Sequence, residues 1–208
     1  MKDFLRRHLS IPAQSEDVPV YPADYFSSLP ELETESLLLR KLCRSDAADL
    51  FAYSSDPEVT RYVLWEPHRS ISETRDYLRY MRQLYRQGAP SSWAIVLKDE
   101  NRVIGTIGFM WYALENQSAE VGYSLSRAYW NRGYATQALS AVVRSAFQRL
   151  PLYRIEAQHD LRNPASGRVM EKCGFSREGV LRGRIVNKGE HIDIVLYAIL
   201  KSDLPVES

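Results

Sequence analysis

The sequence predicts one domain of the α/β (α+β) class, with a mixed, twisted central sheet of about seven strands and flanking helices. A chain of 208 residues suits one domain better than two, and its 45% apolar content is enough for a full core. A strand–helix–strand segment over residues 120–158 requires a parallel crossover, whereas the three-strand run that leads into it should be antiparallel. Together these observations indicate a mixed sheet.

The first 34 residues are predicted to be an N-terminal extension. Four of the ten prolines lie there, and no helical or alternating period persists across the segment. We expect residues 1–34 to wrap around the domain or to move freely, with a short helix over residues 1–9. The domain itself is predicted over residues 35–200, followed by a C-terminal tail at residues 201–208.

The first half of the domain is predicted as one strand followed by helices. Residues 37–42 are apolar enough for a strand, and two short helices should begin at Ser45 and Asp56, both of which are good N-cap residues. A longer helix begins at Ser70 or two residues later and carries its apolar residues on one face. Gly88 should end it.

The second half of the domain alternates strands and helices. Residues 120–125 alternate strictly, so Glu120, Gly122 and Ser124 should share one face of a strand. Residues 138–150 carry the apolar stripe of a strong helix. The remaining predicted elements are strands at 93–97, 103–111, 154–158, 179–187 and 191–200, a helix over 163–174, and a hairpin turn at Lys188-Gly189.

Charge and cysteine content argue against several classes of protein. Lysine and arginine number 27 and aspartate and glutamate 26, so the net charge of +1 gives no global reason to expect nucleic-acid, membrane or polyanion binding. Cys43 and Cys173 form no CxxC pattern, which excludes a disulfide framework. The four histidines show no ligand spacing, so we expect no metal site. With no apolar run of about 18 residues and no secretory signal, we expect a cytoplasmic protein.

The segment YWNRGYAT, residues 129–136, joins a predicted strand to the strongest helix. Gly133 and Ala135 leave the backbone uncovered where the helix begins, and the unpaired N–H groups there suit a phosphate or pyrophosphate. Arg132 adds a full positive charge. The segment has neither the Gly-Lys-Ser/Thr of a P-loop nor the GxGxxG of a dinucleotide site. From these residues alone, a tight turn that happens to use glycine stays open as an alternative.

Two further segments have a structural as well as a functional interpretation. Asn163-Pro164 suits the start of a helix and Gly174 its end, which accounts for that segment except for Ser166. A serine in the first helical turn is common. Glu120 lies on a strand face, where a lone carboxylate is usually a surface group.

These segments, in this order, resemble the GNAT acyltransferases, which use acetyl-CoA. The closest likeness is to their RimJ/RimL-like branch, the ribosomal-protein N-terminal acetyltransferases. The resemblance covers residues 35–200; each motif is modest, but the full set at these spacings is specific. It is carried by residues 38–40 (LLR), 120–125 (EVGYSL), 130–136 (WNRGYAT), 163–166 (NPAS), 171–175 (EKCGF) and 191–197 (HIDIVLY).

The resemblance implies a GNAT fold and a role for each motif. The strands carrying residues 121–125 and 155–158 should splay apart, with pantetheine in the gap, and the amine should attack the thioester directly. Glu120 would act as the base, directly or through water, and Ser166 would give a proton to the leaving thiolate. The residues expected to bind acetyl-CoA are Ser124, Leu125 and Asn163 along the pantetheine arm, Ser166 near the sulfur, and Arg132, Gly133, Tyr134, Ala135 and Thr136 around the pyrophosphate.

The chain departs from the family pattern at two positions. Trp130 stands where the family commonly has Gln or Arg, which loses one side-chain contact but keeps the backbone donors. Met170 stands where another large group has a tyrosine acid, and methionine cannot donate a proton. The acid is therefore either Ser166 or water.

The resemblance implies that the acetyl acceptor is an amine, and the pKa values of amines favour a protein N-terminus. An α-amino group has a pKa near ~8 and a lysine near ~10.4, so at about pH 7.5 deprotonation costs well under 1 kcal/mol for the first and about 4 kcal/mol for the second. Substrate walls are expected from Trp65, Glu66 and Trp111, although both tryptophans suit a core equally well. Two alternatives stay open: an acetyltransferase for a small amine (an antibiotic, a polyamine or an amino-acid derivative), and a CoA-binding module without catalysis. The sequence does not define the oligomeric state.

Overall fold

The computed structural model describes residues 21–204. Its strands are β1 (Leu32–Glu33), β2 (Leu37–Lys41), β3 (Ser92–Leu97), β4 (Arg102–Ala113), β5 (Ser118–Leu125), β6 (Arg154–Asp160), β7 (Ser176–Asn187) and β8 (Glu190–Leu200). Its helices are α1 (Pro22–Ser27), α2 (Ala47–Ser54), α3 (Pro57–Thr60), α4 (Ile71–Gln87), α5 (Tyr134–Arg149) and α6 (Pro164–Lys172).

The strands form a single sheet in the order β1-β2-β3-β4-β5-β6-β8-β7. Neighbouring strands are antiparallel except β5 and β6, which run parallel because the chain crosses over through α5. The predicted mixed sheet with flanking helices is confirmed. The eighth strand, beyond the predicted count of about seven, is β1, a two-residue strand paired with β2.

Helices cover both faces of the sheet, and two neighbours on β5 identify the faces. Adjacent strand residues point to opposite sides. Tyr123 bonds to Ser166 of α6, whereas the Ser124 hydroxyl pairs with that of Thr106. Thr106 in turn accepts a hydrogen bond from Tyr53 of α2. Because α4 packs beside α2 and α5 beside α6, the first pair covers one face and the second pair the other.

Residues 22–33, which belong to the predicted extension, contribute to the core. Phe26 is buried and meets Phe109 edge to face, with ring centroids 5.7 Å apart. The hydroxyl of the buried Tyr25 lies 3.2 Å from that of Ser145 on α5. These contacts join the segment to the sheet and to a helix more than 80 residues away in sequence.

The predicted domain boundary at residue 35 falls between β1 and β2, two paired strands of the sheet. At the other end, Lys201–Asp203 form one 3-10 turn. The predicted helix over residues 1–9 lies outside the described residues, as do residues 205–208 of the predicted tail.

Two predicted helix starts and one predicted end are confirmed, but Ser45 lies inside a 3-10 turn (Arg44–Asp46) and does not cap α2, which begins at Ala47. Asp56 caps α3 by accepting from the Glu58 N–H at 3.0 Å, and Ser70 caps α4 by accepting from the Glu73 N–H at 3.4 Å. Gly88 ends α4 with φ of +61°, in the left-handed region that glycine adopts most easily. The cap chemistry in the sequence therefore predicts where these helices begin and end.

The two parallel strands separate after only three paired residues. β5 pairs with β6 from Ser118 to Glu120 and from Arg154 to Glu156. Beyond this point β5 stays on β4 and β6 stays on β8, so a gap opens within the sheet. The splay that the family resemblance implied is present, and Glu120 lies where it begins.

Candidate active site

A cavity of about 400 Å³ passes through the gap between β5 and β6. Its lining includes Tyr77 of α4 on one sheet face and Met170 of α6 on the other. The fold therefore brings together groups from both faces. The predicted site residues that line this cavity are Trp65, Glu120, Ser124, Asn163 and Ser166.

Glu120 is half-buried, and each of its carboxylate oxygens has a donor. The indole N–H of Trp111 lies 2.7 Å from Oε2, and the side-chain amide of Gln158 lies 2.9 Å from Oε1. Burial raises the pKa of Glu120 above its usual range, and the two hydrogen bonds only partly oppose this. The result is an oriented carboxylate of increased basicity, as a general base requires.

Trp111 therefore has a different position from the predicted one. It was expected to form a substrate wall, but it lies outside the cavity lining and donates to Glu120. Gln158 was not among the predicted site residues, although the sequence contains a pattern that could have identified it. Glu156 and Gln158 share one face of β6, and Glu156 is the register partner of Glu120.

Ser166 lies in the first turn of α6 and is bonded to Tyr123 of β5. The Tyr123 hydroxyl lies 2.9 Å from the Ser166 carbonyl oxygen and 2.9 Å from its Oγ. Burial strongly raises the pKa of Tyr123, so the phenol stays protonated. The structure thus places the Tyr123 hydroxyl on Ser166.

Asn163 occupies the N-cap position of α6, but its side chain makes no capping hydrogen bond. Since an asparagine normally caps through that side chain, the amide stays available to the cavity it lines. Met170, about two turns further along α6, is buried and gives the same cavity an apolar wall.

The predicted pyrophosphate turn has the backbone that an anion site requires. Gly133 has φ of +80° and precedes α5, whose first hydrogen bond runs from the Gln137 N–H to the Gly133 carbonyl. The N–H groups of Tyr134, Ala135 and Thr136 therefore have no backbone acceptor among the described residues. A Cβ added at Gly133 would meet no atom within 4 Å, so the turn has room for a ligand group beside it. Arg132, which supplies the charge, packs its guanidinium over a tyrosine ring.

Trp130 links this turn to the end of β5. Its indole N–H donates to the Leu125 carbonyl oxygen at 2.7 Å. The departure from the family's Gln or Arg therefore introduces a contact of its own. It also means that the Leu125 carbonyl, expected to face pantetheine, already has one donor.

The predicted acceptor wall is only partly in place. Trp65 lines the cavity, but Glu66 is exposed and lies outside the lining. His68 is held by the hydroxyls of Ser54 and Thr74 at 2.9 Å and 2.8 Å, and burial lowers its pKa. The cavity-lining hydroxyl residues that the sequence reasoning missed are Tyr62, Tyr77, Tyr80, Ser91, Ser92 and Thr106.

Two further observations concern the described part of the chain, residues 21–204. It contains no group of three or more histidine, cysteine, aspartate or glutamate residues that could hold a metal ion. None of its helices has the length and apolar character needed to cross a bilayer.

Comparison with known proteins agrees with the fold. The family described as "Acetyltransferase (GNAT) domain" matches residues 36–176. The "Uncharacterized N-acetyltransferase p20" of Bacillus licheniformis is 37% identical over 172 residues, which cover 83% of this chain and 97% of that protein. The crystal structure of a GNAT-family acetyltransferase from Bacillus anthracis is 32% identical, with a TM-score of 0.75 over 83% of this chain and 99% of that one. The ribosomal protein uS5-alanine N-acetyltransferase of Escherichia coli (strain K12) is 26% identical over 189 residues, covering 86% of this chain and 96% of that protein.

The sheet separates at Glu120, and beyond the gap a helix begins with backbone N–H groups that have no backbone acceptor, an arrangement suited to acyl transfer from a thioester that carries a phosphate group. The chain belongs to the GNAT acetyltransferase family. The family resemblance read from the motifs is confirmed, and the activity is N-acetyl transfer to an amine.

Proposed function

We propose that the acceptor is the α-amino group of a protein N-terminus, acetylated from acetyl-CoA in the manner of the RimJ/RimL-like enzymes. The observation that carries this proposal is the charge of the cavity. Its lining contains the carboxylates of Glu120 and Asp160 and no lysine or arginine. A free amino acid would bring its own carboxylate into this cavity without a cationic partner, which is costly. In a protein, the carboxyl group of the N-terminal residue is part of a neutral peptide bond, so this cost does not arise.

Glu120 is the carboxylate available to the amine. Asp160 is buried and bound to Arg162, with N–O distances of 2.7 Å and 2.9 Å. Glu120 has only neutral donors, the Trp111 indole and the Gln158 amide. A half-buried carboxylate of raised pKa can therefore attract the ammonium and accept its proton, directly or through one water.

Acetyl-CoA would occupy the opposite part of the site. The N–H groups of the turn at Gly133 would hold the pyrophosphate, as helix N-termini do. The backbone of Ser124 and Leu125 and the amide of Asn163 would contact the pantetheine arm. Ser166 would then lie near the sulfur and donate the proton that the leaving thiolate takes up.

The uS5 relative supports this choice of acceptor. That protein is named as an N-acetyltransferase for an alanine of ribosomal protein uS5, and this chain aligns with 96% of its length. A ribosomal acceptor would also agree with the cytoplasmic location expected from the sequence. The bacterial relative p20 bears a name without a substrate, so it favours no acceptor.

A small cationic amine is the second candidate. The cavity volume of about 400 Å³ falls in the range of about 300–1,000 Å³ that small-molecule sites occupy. The same acidic lining would accept a polyamine or an aminoglycoside. Cavity charge excludes neither of these, so the choice between a peptide and a small amine depends on measurement.

The deciding experiment is a competition among acceptors at a fixed acetyl-CoA concentration. The panel contains peptides with a free N-terminus and no lysine, the same peptides with a blocked N-terminus, free alanine and serine, and spermidine. We expect acetylation of the free peptides alone, located at the N-terminus by mass spectrometry. Preferential turnover of spermidine would overturn the proposal in favour of the second candidate, and efficient turnover of free alanine would contradict the charge argument.

A further inference from the structure

A second concave site lies on the far side of α4 from the active-site cavity. It is a recess of about 340 Å³, and its lining contains four arginines and one carboxylate. Tyr77, Tyr80 and Leu84 of the same helix line the active-site cavity instead. No residue lines both, so α4 separates two independent sites. The recess is lined by Arg44, Ser72, Arg75, Asp76, Leu78, Arg79 and Arg82.

The arginines of α4 continue beyond the recess as a stripe. Arg75, Arg79, Arg82 and Arg86 follow one another at intervals of four, three and four residues, which places them on one helix face. The stripe is about 16 Å long at a rise of 1.5 Å per residue. One phosphate could not reach all of it, whereas an extended polyanion could.

Most of this charge is unneutralised within the described residues. Arg79 is paired with Asp76, but no acidic partner lies within ion-pair distance of Arg44, Arg75 or Arg82. Like charges gathered around one recess repel each other and lower the stability of the fold. An anion bound there would remove that cost. The chain's net charge of +1 conceals this concentration because the count averages over all 208 residues.

The side chains of the recess favour phosphate over protein carboxylates. All the cations are arginines, whose planar guanidinium groups bind phosphate oxygens in pairs. Leu78, the apolar residue among them, is buried, so the recess offers no exposed apolar centre of the kind that protein–protein interfaces use. Contacts to a phosphate backbone need no such centre.

We propose that the stripe and its recess bind the phosphate backbone of a nucleic acid, without reading base sequence. The site is separate from the acetylation site, so a nucleic acid bound there would leave the cavity open. This inference goes beyond the proposed function and does not depend on the identity of the acceptor. It differs from the expectation based on net charge, because the arginines are concentrated on one helix face.

The test is fluorescence anisotropy of a labelled RNA hairpin of about 20 nucleotides with the full chain, at several salt concentrations. The variant is Arg75→Gln/Arg82→Gln, since neither residue pairs with a carboxylate. The matched control is Arg144→Gln/Arg149→Gln, which removes the same charge from exposed positions on α5.

In Arg75→Gln/Arg82→Gln, the loss of two phosphate contacts should make the negative slope of log K against log salt shallower by about 1.6. At 0.15 M salt this corresponds to binding about 20-fold weaker than that of the wild type. The control should bind like the wild type. Acetyl-CoA binding and turnover of a short acceptor should stay unchanged in both variants, which separates this test from that of the acetylation site. Equal losses in variant and control would overturn the proposal, as would binding of poly-glutamate in preference to RNA.

Discussion

The hydroxyl of Tyr123 on β5 lies 2.9 Å from both the carbonyl oxygen and the Oγ of Ser166 on α6. A phenol has one proton, so Tyr123 can donate to only one of these atoms at a time. When Ser166 donates its own proton elsewhere, its Oγ can accept from Tyr123. The pair thus links β5 to α6 and can hold the serine in a donating orientation.

We predict that Tyr123→Phe lowers kcat about tenfold and changes the KM for acetyl-CoA less than twofold. The reason is the loss of about one hydrogen bond, worth roughly 1.4 kcal/mol, from the arrangement that orients Ser166. Steady-state kinetics with varied acetyl-CoA would measure both values.

Tyr197→Phe is the matched control for this prediction. The Tyr197 hydroxyl also bonds to α6, donating to Glu171 at 2.9 Å, but Tyr197 lies outside the cavity lining. It should leave kcat near the wild-type value. Equal losses in the two variants would mean that Tyr123 merely anchors the helix.

Glu120→Gln should reduce kcat at least a hundredfold and leave acetyl-CoA affinity unchanged. An amide cannot accept the proton, although it keeps one acceptor for the donors around it. Calorimetry and turnover assays would separate the two effects. Glu66→Gln is the control and should turn over normally, because Glu66 lies outside the cavity lining. A normal rate in Glu120→Gln would remove Glu120 from the role of base.

The pH dependence of kcat should report the raised pKa of Glu120. The base works only when ionised, and burial raises its pKa above the ordinary value of about 4.3. The rate should therefore fall as pH drops through that raised value, rather than near the ordinary one. This limb should be absent from the residual activity of Glu120→Gln. A wild-type profile that is flat down to about pH 4.3 would contradict it.

Gly133→Glu should abolish acetyl-CoA binding measured by calorimetry, because it puts an anion where the pyrophosphate would lie. Gly133→Ala is the necessary comparison, since φ of +80° strains any side chain at this position. The alanine variant should bind with only moderate loss, because a Cβ there meets no neighbouring atom. If alanine abolishes binding as completely as glutamate, strain rather than charge is the cause.

Trp130→Phe should weaken acetyl-CoA binding about five- to tenfold. The variant keeps an aromatic ring and removes the N–H that holds the Leu125 carbonyl, a bond worth about 1 kcal/mol. The effect should appear in the Kd, with kcat at saturating acetyl-CoA unchanged. An unaltered Kd would show that the turn keeps its shape without this bond.

Features set by local chemistry were predictable from the sequence. Ser70 and Gly88 mark the ends of α4 because capping depends on residues a few positions away. The alternation in β5 likewise predicts which residues share a face with Glu120. The order of strands and helices then indicated the parallel crossover, whereas the gap was implied only by the family resemblance.

Features that depend on distant contacts were not predictable in this way. A two-residue strand such as β1 has no alternation to detect, and α1 is held by Phe26 against Phe109 rather than by its own periodicity. Gln158 and Tyr123 gain their roles only after β5 and β6 take their register. Their partners are 38 and 43 residues away, so no sequence spacing connects them.

The gap between β5 and β6 gives this sheet two internal edges in addition to its outer ones. Along residues 121–125 and 157–160 each strand is paired on one side only, so part of the backbone facing the gap has no strand partner. Pantetheine carries amide groups of its own and can supply the missing hydrogen bonds. Acetyl-CoA would then complete the sheet as an additional strand would, and its binding would add to the free energy of unfolding.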